Sequence, residues 1–285
     1  MSILALAVRA GDTKPEDVNP CIFLYGPPGA GKTWAACAGG RPLVALTERN
    51  GLTTILHANP DAMIVHIEDT VKLDAQGNAV KDAAGIPVVM KALDVLRELV
   101  IAAKSGEIRR AGYDRLVLDS LTELQRLFKD EIQAAKGTSD AEFSLQDWGT
   151  LNEKMRKFLR TLRALPLPVA ATGLDEQVQD GEGTINVKPA FEGKKTSSEV
   201  AQYFNAVGFC AKRVTITGEG DKAETKAVYR VMFDGPARYM TKSCSPGVTG
   251  VQEANVPGWL NALAGITSTL SSSGKAALEA RAGGQ

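Results

Sequence analysis

Short apolar runs alternate with amphipathic segments along the first two thirds of the chain. The run at 21–25, Cys-Ile-Phe-Leu-Tyr, is bounded by Pro20 and Gly26, which is typical of a strand buried on both faces of a parallel sheet. Runs of the same kind occur at 43–46, 62–67, 116–118 and 169–172. Because helical patterns alternate with these runs, we expect an α/β fold with a central, mostly parallel sheet and helices on both faces.

The longest helical pattern covers 148–165. Its apolar residues recur at spacings of three and four and predict one buried stripe, which prolines at positions 166 and 168 bring to an end. The stripe consists of Leu151, Met155, Phe158, Leu162 and Leu165. Further helices are predicted at 32–38, 90–104 and 121–136.

The chain becomes β-rich after Gly173. A hairpin is predicted at 177–187 around a glycine-rich turn, and strands are predicted at 207–217 and 227–233. These strands would form a C-terminal β-rich extension of the central sheet. Turn residues also mark 72–89 as a hairpin-like surface insertion, and we find no internal repeat.

Composition is that of a globular protein, with 44% hydrophobic and 23% charged residues among 285. Lys and Arg number 33, as do Asp and Glu, so overall charge excludes a protein that coats nucleic acid non-specifically but allows a local basic patch. The predicted organisation is an N-terminal segment 1–19, one domain 20–264, and a flexible tail 265–285 rich in Ser, Gly and Ala.

Several features of the sequence predict that the protein is located in the cytoplasm. No apolar run approaches the roughly 18 residues that cross a bilayer, and the N-terminus is a poor secretory signal. The four cysteines form no CxxC pair, and neither histidine has a ligand-spaced partner. We therefore expect a cytoplasmic protein with reduced cysteines, no Cys/His metal site and no membrane partner.

One motif carries specific chemistry. Residues 26–33 fit the pattern GxxxxGK[ST] without mismatch and lie between a predicted strand and a predicted helix. Glycines allow backbone N–H groups to surround phosphate oxygens, Lys32 can reach the outer phosphates, and the Thr33 hydroxyl can bind Mg²⁺. The predicted nucleotide-binding residues are Gly26, Pro27, Pro28, Gly29, Ala30, Gly31, Lys32 and Thr33.

A partner motif follows the fourth apolar run, which ends at Asp119. Carboxyl ends of strands in open α/β sheets are where ligands bind, so Asp119 is predicted to hold Mg²⁺ beside Thr33. Asp119 and Ser120 would also serve as helix caps. Ser120 replaces the Glu of the Asp-Glu pair typical of AAA+ ATPases. The long separation of Lys32 from Asp119 favours a sheet with a strand inserted between the two motif strands.

Glu48 follows the second apolar run and would face the γ-phosphate from a neighbouring strand. Its carboxylate could orient the attacking water. An ordinary solvated glutamate in the turn 48–51 explains the same residue equally well, and the residues alone leave both interpretations open. Glu123 is the next candidate for a catalytic base.

These motifs together resemble the RecA/KaiC class of P-loop ATPases. The resemblance rests on the phosphate loop, on Thr47-Glu48, and on Leu-Val-Leu-Asp-Ser-Leu-Thr-Glu-Leu at 116–124. The chain is most similar to short phage-encoded RecA-like ATP-binding proteins of single-strand annealing and recombination. That closer similarity rests on Gln-Asp-Trp-Gly at 146–149 and Ala-Phe-Glu-Gly-Lys at 190–194.

The resemblance implies a RecA-like P-loop NTPase fold and an ATPase that uses ATP and Mg²⁺ and is slow without DNA or an activating partner. It implies catalytic roles for Lys32, Glu48 and Asp119, and a γ-phosphate sensor at Thr172. It also implies a homo-oligomer in the cytoplasm, of the host if the chain is phage-encoded. The implied partners are single-stranded DNA and a recombination or single-strand-binding protein.

Two basic clusters are candidates for contacts with DNA phosphates. The first, after the fifth apolar run, consists of Lys188, Lys194 and Lys195. The second shares one face of the 148–165 helix and consists of Arg156, Arg160 and Arg163. A solvated helix face explains the arginines as well. An ATP-dependent switch or loader acting on protein partners is therefore the alternative function, and a P-loop kinase fits less well because no Arg-rich lid follows Asp119.

Overall fold

One large sheet forms the centre of the computed structural model, which describes residues 9, 12–137, 142–217 and 224–266. Its strands and those of two small hairpins are β1 (Cys21–Tyr25), β2 (Pro42–Leu46), β3 (Met63–His66), β4 (Thr70–Val71), β5 (Val89–Met90), β6 (Arg115–Asp119), β7 (Val169–Gly173), β8 (Asp175–Gln179), β9 (Ile185–Pro189), β10 (Ala206–Thr217), β11 (Glu224–Met232), β12 (Lys242–Ser243) and β13 (Val251–Glu253). The helices are α1 (Lys32–Cys37), α2 (Gly51–Ala58), α3 (Ala92–Lys104), α4 (Glu107–Arg110), α5 (Leu121–Ala134), α6 (Leu145–Arg163), α7 (Lys194–Glu199) and α8 (Val256–Leu263).

Within the described ranges the large sheet has the order β13-β11-β10-β1-β7-β6-β2-β3, and β12 pairs with β10. Neighbours from β10 to β3 run parallel, whereas β11, β12 and β13 are antiparallel. This confirms the predicted α/β, RecA-like P-loop fold with its C-terminal β-rich extension. Strand β7 lies between β1 and β6, which confirms the predicted insertion between the two motif strands.

Helices cover both faces of the sheet, as predicted. Helices α1, α2 and α8 pack on the face that carries Ile22 and Leu24, and α3, α5 and α6 pack on the face that carries Phe23 and Tyr25. Successive side chains of a strand point to opposite faces, so β1 contributes to both cores and is buried along its whole length. The phosphate loop therefore begins from a rigid central strand.

Helix boundaries differ from the predictions at several points. Helix α6 begins at Leu145 rather than at 148, because Ser144 and Asp147 form a capping box in which each side chain accepts the other's backbone N–H. Helices α2, α4, α7 and α8 were not predicted. Each has eight residues or fewer, which is too short for a full amphipathic repeat.

The surface insertion between β4 and β5 contains two copies of one turn. In each copy an aspartate, Asp74 or Asp82, accepts the backbone N–H groups of the residues two and four positions later. A glycine three positions after each aspartate closes the turn by donating to its carbonyl oxygen at 3.0 Å. Such side-chain-to-backbone bonds stabilise tight turns without help from the core.

Three backbone hydrogen bonds form a closed ring at the base of the two turns. Lys72 N–H donates to Val88, Val80 N–H to Lys72, and Val88 N–H to Val80, each at 2.8 Å. Equivalent positions are thus eight residues apart, at 72, 80 and 88. Our expectation that the chain carries no internal repeat is wrong at this short scale.

Parts of the predicted terminal segments lie outside the described residues, namely 267–285 of the tail and, apart from residue 9, positions 1–11. All four cysteines are free thiols. In the part of the chain that the structure describes, no helix combines the length and apolar character needed to cross a membrane.

Candidate functional site

The phosphate loop, residues 26–33, connects the end of β1 to the start of α1, as predicted. A Cβ atom on Gly26 would lie 2.4 Å from the carbonyl oxygen of Cys210 on β10. Gly31 has a left-handed φ of 83°, and a Cβ there would lie 2.9 Å from the ring of Tyr229 on β11. Both positions require glycine, because the C-terminal β-rich extension lies directly against the back of the loop.

The ammonium of Lys32 is held by the loop itself. Its Nζ donates to the carbonyl oxygens of Gly26 at 2.7 Å and Pro27 at 2.9 Å. Burial lowers the pKa of Lys32, and the carboxylate of Asp119 is among the neighbours that act in the opposite direction. Burial also raises the pKa of the neighbouring Cys210 thiol to about 12, so that thiol is neutral. The Lys32 ammonium is therefore held at the phosphate loop, where its positive charge can interact with phosphate oxygens.

Asp119, the last residue of β6, lies between two threonine hydroxyls. The Thr33 Oγ1 atom lies 3.2 and 3.0 Å from its two carboxylate oxygens, and Thr172 Oγ1 donates to Oδ1. Burial raises the pKa of Asp119, whereas the hydrogen bonds from Thr172 and Thr33 lower it. Thr172 is fully buried, and its hydroxyl is directed at Asp119. Its role as a γ-phosphate sensor stays a prediction.

The side chains present fit a nucleoside triphosphate with Mg²⁺. The loop at the start of α1 and the Lys32 ammonium provide donors for phosphate oxygens. The Thr33 hydroxyl and the Asp119 carboxylate, which touch each other, are the oxygen ligands that Mg²⁺ prefers. The loop after β1, the start of α1 and the end of β6 thus meet at one point on the carboxyl edge of the sheet.

Glu48 lies at the same edge, where the turn after β2 leads into α2. Its side chain is exposed, and its Oε1 atom lies 3.5 Å from Ser120 Oγ. The backbone N–H of Gly51 donates to the Glu48 carbonyl at 3.1 Å, and a Cβ on Gly51 would lie 3.1 Å from Asp119 Oδ2. The structure therefore brings Glu48 beside Ser120, the residue after Asp119, and its role as the catalytic base stays a prediction.

The opposite end of α1 is enclosed by side chains that the sequence analysis missed. Arg115, at the start of β6, is 1% exposed and donates to three carbonyl oxygens, those of residues 36, 38 and 39, at 2.8–3.1 Å. Asn59 donates to the carbonyl oxygens of residues 37, 39 and 40. The only sequence signal was a charged residue at the first position of an apolar run. Together these side chains fix the end of the phosphate-loop helix.

The predicted lysine cluster lies at the carboxyl edge of the sheet, where β8, β9 and α7 follow β7. Lys188 is already paired, with its Nζ 3.3 Å from Glu176 Oε1. Lys195 is exposed on α7, one turn before Glu199. Lys194 begins α7, and its side chain lies outside the described part of the structure.

The predicted arginine cluster lies along the C-terminal half of α6. Arg156, Arg160 and Arg163 line one groove of about 710 Å³, here called the arginine groove, together with Glu199, Gln202 and Tyr203. The groove lies near the start of β1, since the Cys21 thiol lies 3.8 Å from the carbonyl oxygen of Leu162 in α6. Helix α7 connects the two predicted basic clusters, because Lys195 lies one turn before Glu199, which lines the groove.

Comparison with known proteins bears on the family. No curated protein sequence matches the chain significantly. One solved structure that resembles it is described as a prototypical ATPase from the type III secretion system of pathogenic bacteria, with 15% sequence identity and a TM-score of 0.37 over 67% of this chain. That match covers 52% of the secretion ATPase, so the chain spans about half its length.

A family model described as an AAA domain matches residues 18–245. The matched range holds the phosphate loop, Glu48, Asp119 and Thr172, although Ser120 stands where AAA+ ATPases usually have Glu. Because this range covers well over half of the chain and contains the whole P-loop site, the chain belongs to the AAA-domain family of P-loop ATPases.

Proposed function

We propose that the protein is a Mg²⁺-dependent ATPase. One arrangement supports the proposal above all: Lys32 at the mouth of the phosphate loop, with the Thr33–Asp119 pair beside it. This places a cation for the terminal phosphates and oxygen ligands for Mg²⁺ within one site. Membership of the AAA-domain family agrees with this chemistry.

In the proposed reaction, water adds to the γ-phosphorus of ATP while the bond to the bridging oxygen of ADP breaks. The products are ADP, inorganic phosphate and a proton. Glu48 orients the water and accepts its proton, and Lys32 neutralises negative charge on the transferring group. Mg²⁺, when bound, supplies positive charge beside the β and γ oxygens. Thr172 contributes through its hydrogen bond to Asp119.

We further propose that the ATP-bound protein acts on single-stranded DNA through the segment 188–195, in recombination or annealing of the phage type. The segment follows β7, which carries Thr172, and lies at the carboxyl edge of the sheet with the phosphate loop. Lys195 is exposed there, and flexible cations are sufficient for phosphate contacts. The DNA would thereby lie close to the nucleotide, and we expect a homo-oligomer to assemble on it.

The test combines ATP hydrolysis with the binding of labelled oligothymidine, with and without ATP, over a series of salt concentrations. Affinity should fall by roughly 0.7 log units per log unit of salt for each phosphate contacted. The double variant Lys194→Ala and Lys195→Ala should flatten that slope and leave ATP affinity nearly unchanged. Lys157→Ala, an exposed lysine of α6 outside both clusters, is the matched control.

The outcomes separate the two parts of the proposal. Absence of ATP hydrolysis under every condition contradicts the ATPase, whereas hydrolysis without DNA binding at low salt contradicts only the DNA role. If the double variant loses DNA-independent hydrolysis with its salt slope unchanged, these lysines serve the nucleotide of a neighbouring subunit.

A second candidate function is an ATP-dependent switch or loader acting on protein partners. One observation favours it: the arginine groove is charged, and its lining contains no residue of the phosphate loop and neither Thr33 nor Asp119.

A further inference from the structure

We propose that the arginine groove binds an acidic peptide segment of a protein partner, through carboxylates that pair with Arg160 and Arg163. The groove spans the C-terminal half of α6 and the turn of 3-10 helix at Val200–Tyr203 that precedes β10. This site is separate from the phosphate loop and does not depend on nucleotide hydrolysis.

The groove already contains the interaction that a partner would repeat. Arg156 donates from Nε and Nη2 to the two carboxylate oxygens of Glu199, both at 2.8 Å. This is the bidentate geometry in which arginine binds carboxylates most specifically. Arg160 and Arg163 continue the same helix face at spacings of four and three residues, about 6 and 4.5 Å along the helix axis.

Arg160 and Arg163 are the available cations. Both are exposed, and neither has an ion-pair partner among the residues that the structure describes. The other exposed cation on this helix, Lys157, is directed to Glu153 of the preceding turn. Two unpaired guanidinium groups in one groove create a positive site in a chain whose formal net charge is zero.

The chemistry of the groove favours carboxylates over a nucleic acid strand. Grooves that carry single strands commonly add exposed aromatic rings, on which bases stack, to their cations. Tyr203, the aromatic residue that lines the groove, is only 8% exposed. A peptide with spaced carboxylates can pair with Arg160 and Arg163, while Gln202 offers an amide for peptide backbone groups.

The position of the groove makes it suitable for a partner that stays bound throughout the nucleotide cycle. It lies near the amino end of β1, whereas the phosphate loop leaves the carboxyl end of that strand. A bound peptide would therefore leave the phosphate loop accessible.

The test uses the full-length protein and a short fluorescein-labelled peptide of alternating glutamate and alanine, followed by fluorescence anisotropy at low salt. Labelled oligothymidine serves as the competing probe. We expect the peptide to bind the wild type and to lose at least about tenfold in affinity in the double variant Arg160→Ala and Arg163→Ala. Lys157→Ala, on the same helix outside the groove, should bind as the wild type does. The Lys32→Ala variant should also bind the peptide normally, which separates this proposal from the proposed ATPase.

Three results would overturn the proposal. One is the absence of peptide binding at low salt, and another is peptide binding that is equal in the wild type and the double arginine variant. The third is oligothymidine binding that falls in the double arginine variant while peptide binding stays unchanged, which would assign the groove to nucleic acid. A urea unfolding curve for each variant confirms that the fold is intact.

Discussion

The hydroxyl of Thr47 bridges two strands at the carboxyl edge of the sheet. It accepts the backbone N–H of Ser120 at 2.8 Å and donates to the carbonyl oxygen of Asp119 at 3.0 Å. The backbone N–H of Thr47 donates to the same carbonyl at 2.8 Å. The end of β2 is thereby fixed to the end of β6, and Glu48, the next residue, is held beside Ser120 at the edge of the site.

This position leads to a prediction for Glu48→Gln. The variant should bind Mg²⁺-ATP as the wild type does, because the side-chain hydrogen bond of Glu48 is to Ser120 and its proposed role is to orient water rather than to hold phosphate. Its turnover should fall by about 10²- to 10⁴-fold, as expected for loss of a general base. Single-turnover hydrolysis and nucleotide binding measure the two quantities. Glu123→Gln is the control, and if that variant loses turnover instead, the base is Glu123.

Lys32→Ala should abolish nucleotide binding and leave the fold intact. The Lys32 ammonium donates to the carbonyl oxygens of Gly26 and Pro27 in the loop, so its removal takes away phosphate binding rather than core packing. Binding of a fluorescent ATP analogue and a urea unfolding curve measure the two effects. Lys72→Ala, in the distant insertion, controls for the loss of one positive charge. Wild-type affinity in the Lys32 variant would exclude the phosphate-loop interpretation.

Asp119 should make the stability of the nucleotide-free protein depend on pH. Because burial raises the pKa of Asp119, the folded state retains the proton over a pH range in which the unfolded chain releases it. The free energy of unfolding should therefore fall as pH rises from the ordinary range of aspartate through the raised pKa, and level off above it. Added Mg²⁺ favours the ionised carboxylate and should stabilise the protein more at the higher pH.

Urea unfolding of the wild type and of Asp119→Asn, at a series of pH values, tests this. All other titrating groups are shared, so the difference between the two curves reports Asp119 alone. The variant should lose the pH-dependent component and the stabilisation by Mg²⁺. Parallel curves for the two proteins would contradict the assignment.

Replacing Arg115 should destabilise the whole domain. Arg115→Met leaves one buried and two partly buried hydrogen bonds to carbonyl oxygens at the end of α1 without their donor, and the free energy of unfolding should fall by about 3 kcal/mol or more. Arg126→Met is the control, because Arg126 is a half-exposed residue paired with Glu123, and its loss should cost about 1 kcal/mol or less. Similar losses in the two variants would show that the buried contacts of Arg115 contribute little.

The local features of the site could be predicted from the sequence. The apolar run of β1 comes before Lys32 and Thr33, and the apolar run of β6 ends at Asp119. Both runs predict buried strands, and parallel strands bring their carboxyl ends together. Strands β10 and β11 could also be predicted from local sequence, because two segments with strand-like patterns flank a polar turn.

Features that depend on distant pairing could not be predicted. The contact of Arg156 with Glu199 joins residues 43 positions apart, and no local pattern reports it. Spacing alone placed the three arginines correctly on one face of α6, but the edge of the sheet to which they belong depends on how α6 packs. The role of Arg115 could not be predicted from local sequence either, because it requires the end of α1 to lie beside the start of β6.

The ring of hydrogen bonds at the base of the surface insertion makes that insertion modular. Residues 72, 80 and 88 occupy equivalent places in it, so deletion of 73–80 would put Lys72 where Val80 now stands. The N–H and carbonyl of Lys72 would then both face Val88, which closes an ordinary hairpin over the single turn of Asp82. The chain geometry therefore allows one whole eight-residue unit to be removed here while β3 and α3 keep their register.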